Sequence, residues 1–315
     1  MSNNQIKKIF LTGGTGMIGR SVLNNTNKSN YQFLVPDRSV CDLEDFEQIK
    51  KVLKDFKPDL IIHSAGKVGG IKENMSNSLN FLLKNLEIGK NLILAAKENQ
   101  VKNLINLACS CIYPSNINTI LEEEMVLKGE FEKTNEGFAL AKIISLKLCE
   151  YISKENKSYN YKTLIPCNIY GHHDNFDLNS SHLIPAIINK IHKAKKYNES
   201  TVEIWGDGRA RREFMYVDDL TDAIFFIIKN FEKVPSCLNI GVGIDYSIND
   251  YYQVIAREFG YNGKFSHDLS MPTGVHQKLL SNKKFKNIGW SPKFSINEGI
   301  KKTLNFYINK VINEV

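Results

Sequence analysis

Lys8-Ile9-Phe10-Leu11-Thr12 runs directly into Gly13-Gly14-Thr15-Gly16-Met17-Ile18-Gly19. A short apolar run, a Gly-x-x-Gly-x-x-Gly turn and then apolar residues at helical spacing predict a strand, a tight turn and a helix. Glycines in such a turn let the backbone approach a pyrophosphate at the helix N-terminus. The context makes the signal: three glycines alone say little, but three glycines between a first strand and a first helix point to a dinucleotide. Gly13, Thr15, Gly16, Met17 and Ile18 are the expected cofactor contacts.

Working outward, strands are expected at Tyr31–Val35, Leu60–His63, Leu104–Ala108 and Lys162–Pro166. Helices are expected at Phe46–Phe56, about Asn77–Asn99 and about Gly137–Glu155. This alternation predicts an α/β, Rossmann-type doubly wound parallel sheet. Right-handed crossovers then set Thr12, His63 and Ala108 along one carboxyl edge, where ligands bind. Beyond residue 167 the pattern loosens into a helix at Leu183–Lys196, a strand at Val202–Trp205, a helix at Tyr216–Lys229 and a strand at Cys237–Gly241. Two further helices are expected at Ile248–Phe259 and Ile296–Val311. The division implied is a nucleotide-binding part, residues 1–166 with 213–241, and a smaller mixed α/β substrate part, residues 167–212 with 242–315.

A chain of 315 residues can bury about three quarters of its unfolded surface, so it needs no covalent staple. Apolar content of 42% and charged content of 24% are ordinary for a globular protein. The net charge of +7 suits a phosphorylated ligand, while no aromatic-interleaved basic patch speaks for nucleic acid. Cys41, Cys109, Cys111, Cys149, Cys167 and Cys237 include no Cys-x-x-Cys pair and no zinc spacing, so no metal is expected and all six read as free thiols of a cytoplasmic protein. No apolar run reaches the roughly 20 residues that span a bilayer, and no signal-peptide core precedes the first strand.

After the second strand comes Asp37-Arg38, 18 residues beyond Gly19 (37 − 19 = 18). An acid there can hold a ribose diol and an arginine can pair a 2′-phosphate, so this pair leaves the choice of dinucleotide open.

Several longer stretches are more specific: Lys67-Val68-Gly69-Gly70-Ile71, Ser110-Cys111-Ile112-Tyr113-Pro114, Ala141-Lys142-Ile143, Asn168-Ile169-Tyr170-Gly171, His173-Asp174-Asn175-Phe176, Ser181-His182, Arg212-Glu213-Phe214 and Val217-Asp218-Asp219. Over nearly its whole length the chain resembles the GDP-L-fucose synthases, the GDP-4-keto-6-deoxymannose epimerase/reductases of the extended short-chain dehydrogenases. The resemblance implies NADPH, a GDP-linked 4-keto sugar and a homodimer built on the helices near 77–99 and 137–155. It implies epimerisation at C3 and C5 followed by reduction at C4. It assigns adenine contact to Asp42 and Leu43 and cofactor packing to Ser64, Ala65, Gly66 and Asn168, while Arg38 is the candidate partner of a 2′-phosphate. Lys142 would hold the nicotinamide ribose. Cys111 would be the epimerisation base and His182 the acid; a thiol near pKa 8.5 and an imidazole near 6.5 both exchange protons around neutrality. On their own residues, Cys111 reads as a small buried side chain and His182 as a helix start. Val68, Gly69, Asn168, Lys190, Trp205, Arg212 and Lys278 would line the nucleotide-sugar.

Two positions depart from that pattern. The tyrosine of the usual Tyr-x-x-x-Lys is Phe138, which has no ionisable group, and the usual serine is Cys109, a weaker donor. His172 also stands where a proline is common. Three outcomes are open: reduction with another proton donor, namely a water held by Lys142, His182, Cys109 or Cys111; an epimerase that has lost reduction; or a non-catalytic nucleotide-sugar or NADP-binding protein. Losing a general acid costs about 10²–10⁴-fold, which a slow biosynthetic step tolerates.

Overall fold

The computed structural model describes residues 6–312 apart from 118, 179 and 272. Strand β1 (Lys8–Thr12) is followed by helix α1 (Met17–Asn24), β2 (Gln32–Leu34), α2 (Phe46–Phe56), β3 (Leu60–His63), α3 (Ile71–Ser76), α4 (Ser78–Glu98), β4 (Asn103–Leu107), α5 (Glu136–Glu155) and β5 (Asn160–Pro166). Then come β6 (Asn168–Tyr170), α6 (Leu183–Lys196), β7 (Thr201–Trp205), β8 (Arg211–Arg212), β9 (Phe214–Tyr216), α7 (Val217–Lys229) and β10 (Cys237–Ile240). The chain closes with β11 (Tyr246–Ser247), α8 (Ile248–Phe259), β12 (Lys264–Asp268), β13 (Gln277–Lys278), α9 (Lys283–Ile288), α10 (Ile296–Phe306) and a π-helical turn, Tyr307–Ile312.

Six strands form one parallel sheet in the order β10-β5-β4-β3-β1-β2. The order reverses beside β1, and the crevice at that switch lies over the glycine turn, where an open α/β sheet takes its ligand. The central strands are apolar along their length because helices cover both faces: Ile9, Phe10, Leu11, Leu60, Ile61 and Ile62 are fully buried. Ile9, Leu11 and Ile62 pack in the same apolar cluster as Ile224 and Ile227 of α7, while Phe10 and Ile61 join Ile49 of α2 and Leu92 of α4. A separate apolar cluster gathers Tyr170, Ile187, Ile191, Tyr251, Ile255 and Ile300 from β6, α6, α8 and α10.

The sheet, its strand direction and the long helices follow the sequence pattern. Strand β2 is shorter than expected, spanning three residues and pairing only with β1. The last helix ends at Phe306 instead of running on regularly. Strands β6, β8, β9, β11 and β13 were not foreseen. Each is two or three residues long and exists through a partner distant in sequence, as in Asn168↔Phe214 and Lys278↔Arg212. Among the described residues, no helix is long and apolar enough to cross a membrane.

Candidate active site

The glycine turn is held by the end of β3. Gly13 has φ +75°, and a β-carbon there would stand 2.8 Å from the Ala65 nitrogen, so only glycine lets the two loops touch. Three hydrogen bonds fasten the approach: the Ser64 hydroxyl donates to the Thr12 carbonyl (2.6 Å), the Ala65 amide donates to Thr12 Oγ1 (3.3 Å), and Thr12 Oγ1 meets His63 Nδ1 (2.9 Å). Gly16 caps α1 without a side chain, leaving the first amides of the helix facing the crevice. The glycine turn and the Ser64–Ala65 loop therefore lie against each other at the carboxyl ends of β1 and β3.

The carboxyl end of β2 is less simple than its sequence suggests. The Asp37 carboxylate accepts from the amides of Ser39 and Val40 and the Ser39 hydroxyl, which holds its pKa below the usual range. That carboxylate shapes the turn and is not presented as a free ribose contact. Arg38 is exposed and reaches Asp42 (3.2 Å) and Glu44 (2.6 Å). Glu44 in turn pairs with Lys84 of α4 at 2.9 Å. Asp42 Oδ1 accepts from the Glu44 amide, while Leu43 packs on the cluster beneath.

On the other side of the crevice, α5 carries Phe138 and Lys142 one turn apart. Lys142 is buried; its ammonium donates to the Leu107 carbonyl at the end of β4 (3.0 Å) and lies 5.6 Å from the centre of the Phe138 ring. Burial without a carboxylate partner lowers its pKa to about 8. The same ammonium, behind burial itself, helps push His63 down to about 3. A β-carbon on Gly66 would sit 3.6 Å from Lys142 Nζ and 2.8 Å from Asn85 Oδ1. Asn85, buried on α4, fixes this loop by accepting from the Lys67 amide (2.9 Å) and donating to the Lys67 and Phe81 carbonyls. Asn85 drew no attention in the sequence, since an asparagine inside a helix carries no motif.

Cys109, Ser110 and Cys111 occupy a short 3-10 turn beyond β4. The sulfur atoms of Cys109 and Cys111 lie against each other, with α-carbons 5.4 Å apart. Cys41, Cys149, Cys167 and Cys237 are free thiols. The i, i+2 spacing on a tight turn aims both side chains the same way, which a reading for Cys-x-x-Cys does not detect. Tyr113, which follows, is no substitute proton donor: it is buried and its hydroxyl donates to Asn239 Oδ1 (2.6 Å).

His182 caps α6 by position but makes no capping bond. Its side chain opens to solvent, yet dense surrounding protein lowers its pKa. The neighbouring Ser181 hydroxyl is buried with no partner. Val68 is 62% exposed, and a β-carbon on Gly70 would stand 2.8 Å from the Ser181 carbonyl, so the Val68–Gly70 loop adjoins the His182 segment. Asn168 spends its amide on the Glu213 carbonyl (2.9 Å). Glu213 itself is structural: its buried carboxylate accepts from the amides of Gly243 and Leu280, while burial raises its pKa to about 7. His172 Nε2 pairs with Asp218 at 2.8 Å, and Asp218 also accepts from Ser21 of α1.

On the nucleotide side, Lys190 donates to the Glu203 carbonyl (3.0 Å) and lies 5.3 Å from the centre of the Trp205 ring. Lys278 pairs with Glu132 at 3.1 Å, and Arg212 donates to the carbonyls of Arg211 and Thr273. Lys278 was expected as an open cation; it is instead held by a carboxylate that the sequence reading did not single out.

The sheet, the glycine turn and a buried lysine facing it define a dinucleotide-dependent α/β enzyme. The chain belongs to the NAD dependent epimerase/dehydratase family, whose model matches residues 9–241. It is 49% identical over 307 residues to the GDP-L-colitose synthase of Yersinia pseudotuberculosis, covering 98% of this chain and 100% of that protein. It is 43% identical over 302 residues to the GDP-L-fucose synthase of Azorhizobium caulinodans, covering 96% of each. Among solved structures, the GDP-mannoheptose C4 reductase of Campylobacter jejuni with NADP bound matches with a TM-score of 0.87 and 28% identity, over 98% of this chain and 100% of that one.

Proposed function

We propose that this chain is an NADPH-dependent reductase of the C4 ketone of a GDP-linked 4-keto sugar, a 6-deoxyhexose or a heptose, and that it epimerises at C3 and C5 in the same site. The relatives reported above all make or reduce GDP-linked sugars. The observation that carries the reading is Lys142: a buried ammonium held by the Leu107 carbonyl, open toward Gly66 and beside Phe138.

The residues present fit the cofactor. Gly13 lets the turn pack directly on the Ala65 backbone, Gly66 brings the next loop against Asn85 and Lys142, and α1 starts beside them with no side-chain cap on its first amides. Bound there, NADPH supplies the hydride for the ketone carbon. Thr15, Gly16, Met17 and Ile18 would hold the pyrophosphate; Arg38, Asp42 and Leu43 the adenosine end; Ser64, Ala65, Gly66 and Asn168 the nicotinamide side; and Lys142 its ribose. Arg38 must partly release Glu44 to meet a 2′-phosphate, and an exposed ion pair of this kind costs little to open.

Phe138 supplies ring packing without a proton. The Lys142 ammonium, protonated below about pH 8, supplies the proton to the ketone oxygen through a water. For epimerisation Cys111 takes the proton beside the ketone and His182 returns one from the other face. Cys109 and Cys111 must then be thiols, because a disulfide holds no proton. Val68, Gly69, Lys190, Trp205, Arg212 and Lys278 hold the nucleotide-sugar, with the substrate part formed by residues 167–212 and 242–315 and the cofactor part by residues 1–166 and 213–241. The active form is a homodimer: Leu79 and Leu83 of α4 and Ile144 and Tyr151 of α5 are 39–69% exposed and suit a second copy.

Phe138 itself favours a second reading, an epimerase without reduction. Purified, reduced protein with NADPH and GDP-4-keto-6-deoxymannose separates the two. Oxidation of NADPH supports the reductase. Deuterium uptake at C3 and C5 in D₂O without oxidation supports the epimerase.

A further inference from the structure

Strands β8 and β13 pair over only two residues, and their register sets Lys278 directly opposite Arg212. Like charges at opposed positions of a sheet repel, and both side chains are removed from most of the solvent, so this register needs an anion between them. The chain provides one. Glu132, in the segment that precedes α5, places Oε2 3.1 Å from Lys278 Nζ, with the two side chains 11% and 12% exposed. Thr134 Oγ1 orients the other carboxylate oxygen at 3.0 Å.

Arg212 has no carboxylate of its own among the described residues; it donates to the Arg211 carbonyl (2.8 Å) and the Thr273 carbonyl (3.0 Å). The carboxylate and the guanidinium flank Gly274, 2.6 and 3.1 Å from where a β-carbon would stand, and that glycine has φ +67°. The cluster therefore holds two cations against one carboxylate, packed on the Gly274 backbone. Three residues after Glu132, Asn135 Oδ1 is buried with no hydrogen-bond partner among the described residues.

We propose that Glu132 is an internal stand-in for the substrate's diphosphate: it neutralises Lys278 and Arg212 in the empty site, and the nucleotide-sugar displaces it. This rests on the reading that these two cations hold the nucleotide. The charge balance gives the direction. Each of the two phosphates of a sugar-linked diphosphate carries a negative charge, so diphosphate with Lys278 and Arg212 is neutral, whereas keeping Glu132 as well leaves an unpaired buried anion. An unpaired buried charge is strongly unfavourable, so Glu132 leaves. Its segment leads into α5 four residues later, and Phe138 lies six residues on. Displacement thus couples a filled nucleotide site to the helix that carries Phe138 and Lys142, and a sugar lacking the diphosphate does not trigger it.

The test is calorimetric binding of GDP at fixed, low salt to the full chain. Lys278→Met and Arg212→Met should each weaken GDP binding at least tenfold. Glu132→Gln, which removes the competing charge, should tighten it by on the order of tenfold, because the ligand no longer works against an occupied state. Glu132→Asp keeps the charge but shortens its reach; it should tighten binding by less, and it carries the test if Glu132→Gln does not fold. If the two cation variants bind GDP as the wild type does, the nucleotide is held elsewhere and the underlying reading falls with the inference. If they weaken binding while Glu132→Gln and Glu132→Asp leave it unchanged or weaker, Glu132 is only a structural partner and the inference alone is overturned.

Discussion

At the scale of single residues, Lys142 bears two opposed demands. Burial drops its pKa to about 8, against an ordinary value of 10.5 when exposed. The folded state therefore binds fewer protons than the unfolded chain between about pH 8 and 10.5, and stability rises with pH across that window. Lys142→Met removes the cost of burying the charge. It should be more stable than the wild type at pH 7, by on the order of a few kcal/mol, and the gain should shrink toward pH 10.5. Chemical denaturation at both pH values checks this, and the same variant should be inactive. The proton donor follows the same group. Reduction should fall as pH rises through about 8, and Phe138→Tyr should raise kcat by about 10²-fold, the lower end of what a positioned general acid contributes. A pH profile of kcat for the two proteins reads both effects. For the cysteines, Cys111→Ser should abolish deuterium uptake at C3 and C5 while NADPH still binds.

At the scale of elements, the β1–turn–α1 unit was legible because its requirement is local. A turn that touches the β3 loop at Ala65 with φ +75° admits only glycine, and that demand is written in consecutive residues. Gly13→Ala should lose NADPH binding, measured by quenching of protein fluorescence, while far-ultraviolet circular dichroism shows the sheet retained. The alternation of β3, α4, β4 and α5 was legible for a related reason: buried parallel strands are short continuous apolar runs, and the helices between them are several times longer. The paired short strands carry none. Nothing in Gln277-Lys278 announces a strand, and the pairing with Arg211-Arg212 arises from chain 66 residues away (277 − 211 = 66). For the same reason Lys278 was legible as a cation but its partner Glu132 was not. Phe138 and Cys109 could be read as departures because they interrupt a recognisable pattern. The contact between Cys109 and Cys111 could not, because it depends on the tightness of the turn after β4.

At the scale of the whole molecule, the sheet, the substrate-side cluster and the outer helices divide the work. In the proposed site the reacting groups come from the carboxyl ends of β1, β3 and β4, from α5 and from the start of α6, and the nucleotide groups from α6, β7, β8 and β13. The outward faces of α4 and α5 leave Leu79 69% and Tyr151 54% exposed. Leu79→Glu with Ile144→Glu should convert a homodimer to a monomer in light scattering, with the fold retained; a wild-type monomer would remove the dimer from the account.

The account's central claim is that a site without the usual tyrosine still reduces a GDP-linked 4-keto sugar. Its most direct test is the loss of absorbance at the reduced nicotinamide band when reduced protein, NADPH and GDP-4-keto-6-deoxymannose are mixed, repeated with a GDP-4-keto heptose. The account predicts protein-dependent oxidation with at least one of the two sugars, and none with Lys142→Met. Tight binding of NADPH and GDP with no oxidation by either sugar would contradict it.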